Sequence, residues 1–153
     1  MSLRILATLA VLLALLLPAG ARAERIDDSG TQVLGSLVRL KWQKAAPQPG
    51  EPNLLVGQIT VLVRLDMSPW KGRRGRIYHQ LSRQGNPVTV SWTTRGALLP
   101  GEVRDGERTL VYAGLVTHDL IEDTFVLTLT ANADQLSRLE QLEFSFEFEP
   151  EGG

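Results

Sequence analysis

Apolar and polar side chains alternate with a period of two along much of the chain after residue 32, the repeat that puts one face of a strand in a core and the other in water. The last such stretch is the plainest: Leu142, Phe144, Phe146 and Phe148 fall on one face, and Glu143, Ser145, Glu147 and Glu149 on the other. Residues 55 to 65 set Leu55, Ile59, Val61, Val63 and Leu65 against Gln58, Thr60 and Arg64, which predicts a strand near the centre of a sheet. Residues 33 to 42 place Leu34, Val38, Leu40 and Trp42 on an expected core face, with Arg39 and Lys41 opposite. Further strands are expected at 76 to 81, at 88 to 93, where Val88, Val90 and Trp92 share a face, and at 124 to 130, where Phe125, Leu127 and Leu129 do. Asp105-Gly106 separates the runs 102 to 104 and 107 to 112, and this dipeptide suits a two-residue type I′ hairpin, whose central residues both take positive φ.

Between these runs lie breakers. Residues 45 to 53 hold three prolines and a glycine, residues 66 to 75 a proline and two glycines, and residues 83 to 87 Gly85, Asn86 and Pro87, so each reads as a loop. The segment 131 to 139 offers at most a helical turn. With about seven strands and no amphipathic helix longer than two turns, the expected fold is all-β: a single antiparallel β-sandwich of immunoglobulin-like size, with a closed barrel as the alternative. Residues 24 to 30 are polar and aperiodic and read as a flexible lead, which leaves 31 to 150 for the domain and 151 to 153 as a tail.

The first 23 residues obey a different pattern. Arg4 precedes an apolar run of thirteen residues, 5 to 17, and a small-residue end closes in Ala21-Arg22-Ala23, the layout of a secretory signal peptide with cleavage between Ala23 and Glu24. The run is too short to span a bilayer, and Pro18 and Gly20 break its helix before the site. The expected product is therefore exported, periplasmic or at the cell surface, without a membrane anchor. No cysteine occurs, so neither lipid attachment nor disulfides enter, and a bacterial envelope protein fits better than a bridged animal module.

Charge adds little globally and more locally. Loss of Arg4 and Arg22 takes the bases from 16 to 14 against 17 acids, a net charge of −3 that gives no reason to expect nucleic acid. Residues 64 to 108 carry nine bases and four acids, whereas residues 114 to 153 carry nine acids and only Arg138. Basic and acidic strands lying side by side would pair their exposed faces.

Catalytic patterns are missing. His79 and His118 share no metal-ligand spacing, and His118, Asp119, Glu122 and Asp123 lack the repeat of a calcium loop. Ser68 and Ser91 have no base within a recognisable arrangement, and Lys71 to Gly75 lacks the strand-loop-helix setting of a phosphate loop. No cofactor, metal or enzymatic activity is expected. The segment with most chemistry is 68 to 78, where Trp70, Lys71, Arg73, Arg74, Arg76 and Tyr78 would form a basic, aromatic edge for an anionic or acidic partner, or where Trp70 caps the core and the arginines answer the acidic last strand.

Export, one β domain and no catalytic set point first to a structural or assembly component of a surface fibre or envelope complex. In layout the chain resembles immunoglobulin-like pilus subunits, in which a segment placed like 33 to 42 is donated to a neighbouring chain, which would imply a fimbria-like role and a protein partner. No motif ties it to that family. The alternatives are a periplasmic binding or inhibitor protein using the edge from Trp70 to Tyr78, and a glycan-binding module stacking sugars on Trp42, Trp70 or Trp92.

Overall fold

The structure, a computed structural model, describes residues 22–35, 41–44, 49–51, 53–83, 85, 87–134 and 142–152. Ten strands occur among them: β1 (Glu24–Arg25), β2 (Gln32–Leu34), β3 (Lys41–Trp42), β4 (Leu54–Asp66), β5 (Arg74–Leu81), β6 (Val88–Thr93), β7 (Gly101–Arg104), β8 (Arg108–Leu115), β9 (Leu120–Asn132) and β10 (Phe144–Pro150). A 3₁₀ turn, Ser68–Trp70, is the one helical element described. The chain is all-β, built as two antiparallel sheets. One has the order β1-β10-β5-β8, the other β2-β4-β9-β6-β7 with β3 on the same edge of β4 as β2.

β4 and β9 form the spine, paired from Leu54–Asn132 to Asp66–Leu120 without a break. Branched side chains such as Ile59, Val61, Val63 and Thr128 suit a pleated, half-buried surface. Inward residues of this sheet, among them Val63, Leu65, Phe125, Val90 and Trp92, meet Ile77, Leu81, Phe146 and Phe148 of the other. Ring contacts span the gap, with His79 to Trp92 at 4.7 Å and Phe125 to Phe146 at 6.1 Å between centroids. Gly75 is required where β5 passes under Phe148, because a Cβ there would sit 2.6 Å from the Glu149 carbonyl oxygen as well as against the ring.

β4 is interior to its sheet, as expected, between the central β9 and the edge formed by β2 and β3. Other expectations need correction. The run 33 to 42 supplies that edge as two short pieces, and its expected core face is turned to water: Leu34 is 49% and Trp42 57% exposed. Val38 and Leu40 lie outside the described residues, as do the signal segment up to Ala21 and the link 135 to 141. An edge strand has no sheet facing it on that side, so period two alone does not identify the buried face.

Asp105-Gly106 does not make a hairpin. Only Gly106 has positive φ (75°), and Glu107 N–H closes the turn on the Arg104 carbonyl at 2.9 Å. That combination is a type II turn, which splays the flanking strands where a type I′ turn would keep them paired. β7 accordingly stays in one sheet and β8 enters the other.

Residues 24 to 30 are structured as well. β1 pairs with β10, Ile26 is 1% exposed in the core, and Asp27 bridges to Asp66 across to β4. A single apolar residue among six polar ones leaves no periodicity to read. The Asp27 and Asp66 carboxylates accept hydrogen bonds from Ser29 and Ser68, which hold both below the ordinary carboxylate range.

Candidate binding cleft

The basic, aromatic segment is pulled apart by the fold. Trp70, at the end of the 3₁₀ turn, is buried against Phe148 at 5.1 Å between ring centroids and donates its Nε1–H to Glu24 at 3.3 Å. Lys71 pairs with Asp119 at 3.3 Å. Arg73 is exposed before β5, while Arg74 and Arg76 share its outward face, and none of the three makes an ion pair among the described residues. Tyr78, next on that face, lies under the Arg108 guanidinium, 4.0 Å from ring centroid to Cζ. Arg108 reaches on to Glu147 at 3.7 Å and Glu149 at 3.2 Å, so the acidic last strand is answered by a residue of β8. Ala23 and Glu24, on either side of the expected cleavage point, are exposed. Ala21 lies outside the described residues.

The acidic and histidine candidates also disperse. His118 contacts Thr117 Oγ1, Glu122 pairs with Arg64 at 3.0 Å, and Asp119 is held by Lys71. Asp123 turns inward and accepts four backbone N–H groups, from Arg95, Gly96, Leu98 and Thr124, at 2.7 to 3.0 Å. Its carboxylate thus pins the loop that follows β6, and Gly96 leaves no room there for a Cβ without crowding Asp123. Among the described residues no three His, Asp or Glu side chains converge on a point. Beside this loop a polar groove of about 490 Å³ runs past Arg64, Arg95 and Glu122.

An apolar recess opens between the two sheets. Its volume is about 500 Å³; Ile59, Val61, Phe125 and Leu127 wall it from one sheet and His79, Phe144 and Phe146 from the other, with Val33 of β2 at its side. Asp28, Thr31 and His79 are its polar residues. It owes its existence to the first segment of the chain. β1 follows β10 only beside Phe148 and Glu147, Ile26 N–H adds one bond to the Phe146 carbonyl at 2.8 Å, and the chain then crosses to β4 at Asp27. Past that crossing no described strand lies along β10, and the gap between the sheets faces outward.

Comparison with protein families, curated proteins and solved structures finds no match to this chain. Its chemistry therefore rests on the residues present.

His79 stands in an aromatic nest, stacked on Phe146 at 4.6 Å and edge-on to Trp92 and Phe125. It is 2% exposed, its Nδ1 has no hydrogen-bond partner among the described residues, and burial pushes its pKa down to about 4, so the ring is neutral at physiological pH. Asp28 and Thr31 are the other polar side chains described in the lining of the recess. What the walls can do is bury apolar groups, at roughly 25 cal/mol for each Å² removed from water. Period two puts Ile59, Val61, Phe125, Leu127, Phe144 and Phe146 on core faces, but not His79 or Val33, and it carries no sign of the opening, which depends on where the chain leaves β10, at Ile26 and Asp27.

Proposed function

We propose that the chain is the precursor of an exported, non-enzymatic β-sandwich protein, a structural or assembly component of a surface fibre or cell-envelope complex, with the cleft as its working surface. The observation that carries this reading is an apolar recess that opens outward between two sheets and whose polar lining among the described residues is Asp28, Thr31 and His79. Concave, mostly apolar recesses of this size are where proteins hold ligands and partner segments. Export is supported by the signal-like first 23 residues and by the exposure of Ala23 immediately before β1. The described ends of the segment 33 to 42, in β2 and β3, pair with β4 of the same chain, which favours an acceptor over a donor role in such an assembly.

A second reading, an anionic partner on the outer face of β5, is favoured by Arg73, Arg74 and Arg76, which are exposed and make no ion pair among the described residues. Trp42, exposed on the edge, is the tryptophan available for stacking a sugar.

The test is expression of the full chain in a bacterium with a photo-crosslinking residue at Phe144, in the cleft, or at Arg76, on the outer face. The expected product starts at Glu24, fractionates with the envelope and crosslinks to another envelope chain from position 144. Retention of an uncleaved protein in the cytoplasm would refute the export reading, and crosslinks confined to position 76 would transfer the function to the basic face.

A further inference from the structure

Taking the cleft as the working surface, and so resting on the reading above, we infer that it also binds a small molecule: a single-chain amphiphile with a cationic amine head, whose apolar chain lies between the sheets and whose head sits beside Asp28.

The walls set the chain. Ile59, Val61 and Phe125 of one sheet stand against Phe144 and Phe146 of the other around about 500 Å³, a volume ordinary for a small-molecule site. At about 30 Å³ for each water-sized group, that space takes roughly 15 non-hydrogen atoms, one alkyl chain of about ten to twelve carbons with its head group. Two such chains do not fit, so the occupant is a free single-chain molecule and not a bilayer surface or a two-chain lipid. His79 is neutral and 2% exposed, so the wall it forms sets no charge against the chain.

Charge selects the head. No lysine or arginine occurs among the described lining residues, whose polar members are Asp28, Thr31 and His79. Thr31 is engaged already: its Oγ1 accepts the Arg64 N–H at 3.0 Å, and its own N–H donates to the Asp28 carbonyl at 2.9 Å. The Asp28 carboxylate is different. It is half-buried, and neither a hydrogen bond nor an ion pair meets it among the described residues, whereas Asp27 and Asp66 are bonded by serines, Asp119 by Lys71 and Asp123 by four backbone N–H groups. A carboxylate partly withdrawn from water and unpaired is stabilised by a cation brought beside it, most of all where the rest of that molecule is held by apolar walls. An ammonium head answers Asp28 and is drawn as well to the aromatic lining. A carboxylate or phosphate head finds no described cation there and is repelled, and an alcohol or hydrocarbon leaves the charge unanswered.

Isothermal titration calorimetry of the protein purified after export, at neutral pH with decylamine, decanol and decanoate below their micellar concentrations, varies the head alone and leaves the protein untouched. Decylamine is expected to bind one-to-one with a micromolar Kd, at least tenfold tighter than decanol, with decanoate weaker than both. Asp28→Asn should bring decylamine to within threefold of decanol and leave decanol itself unchanged, with thermal unfolding as the check on its fold. Equal affinity for the three overturns the choice of head, as does a preference for decanoate. Unchanged decylamine binding to the Asp28→Asn protein, or no saturable binding of any of the three, overturns the site. In each of those outcomes crosslinks from position 144 to an envelope chain leave the envelope reading standing, and retention of an uncleaved chain in the cytoplasm refutes that reading whatever the titrations show.

Discussion

The gap between the sheets is sealed at one end and open at the other, although the same two strands line both. Where β4 and β9 reach Asp66 and Leu120, Leu65 and Met67 have no exposure, Ile26 fills the space beneath, and Trp70 closes over Phe148. Further along, Ile59 and Phe144 are only half buried and Val33 is 56% exposed. The buried polar groups divide in the same way. Asp123, opposite Val63 towards the sealed end, has four N–H donors, and His79, in the cleft wall, has an Nδ1 with none. Alternating strands make walls, and it is the segments crossing between them that make a closed core.

Removing a crossing segment should erase the difference. Trp70→Ala is expected to lower stability by about 4 kcal/mol in urea denaturation, by uncovering Phe148 and leaving a void over it; a loss below about 1 kcal/mol would mean that the sealed end does not depend on this ring. Asp123→Ala should cost about 3 kcal/mol in the same assay, because several loop N–H groups lose their acceptor, and hydrogen exchange at Gly96 and Leu98 should speed up with it.

The cleft side should show itself through pH. Folded His79 stays neutral down to about pH 4, while in the unfolded chain it takes a proton near its ordinary 6.5, so between these values the unfolded state binds more protons. Its contribution is therefore intact above pH 6.5 and is lost as pH falls towards 4, on the order of 3 kcal/mol in all. His79→Phe should flatten that part of the stability curve, and an unchanged slope would show that the ring is not held neutral. The smallest effect is expected from Ile59→Ala, about 1 kcal/mol, since a half-buried side chain at an open recess leaves little cavity behind.

Where two sheets cover a strand, its buried face could be read from sequence: β4, β6, β9 and β10 all lie where period two placed them, with Val61, Val90, Phe125 and Phe146 inward. Legibility fails where one side has no covering layer or where a single residue decides. Leu34 and Trp42 have the right spacing for a core face but belong to an edge beyond the reach of the second sheet. Ile26, the one apolar residue of 24 to 30, joins Met67 and Trp70 in closing one end of the core. Asp105-Gly106 allows more than one turn type, and the sign of one φ angle separates a hairpin from a passage between sheets. The cleft was illegible for the same reason, being set by the place where one short strand departs.

That passage between sheets is the rule in this chain: the links β1–β2, β4–β5, β5–β6, β7–β8, β8–β9 and β9–β10 all change sheet. Most neighbours in space are therefore remote along the chain, β3 with β4 and β6 with β7 excepted, to the point that β1 pairs with β10. Such wiring folds slowly, because distant segments must be gathered before any contact rewards them. The sheet that holds β1 and β5 therefore closes only once β10 is in place between them.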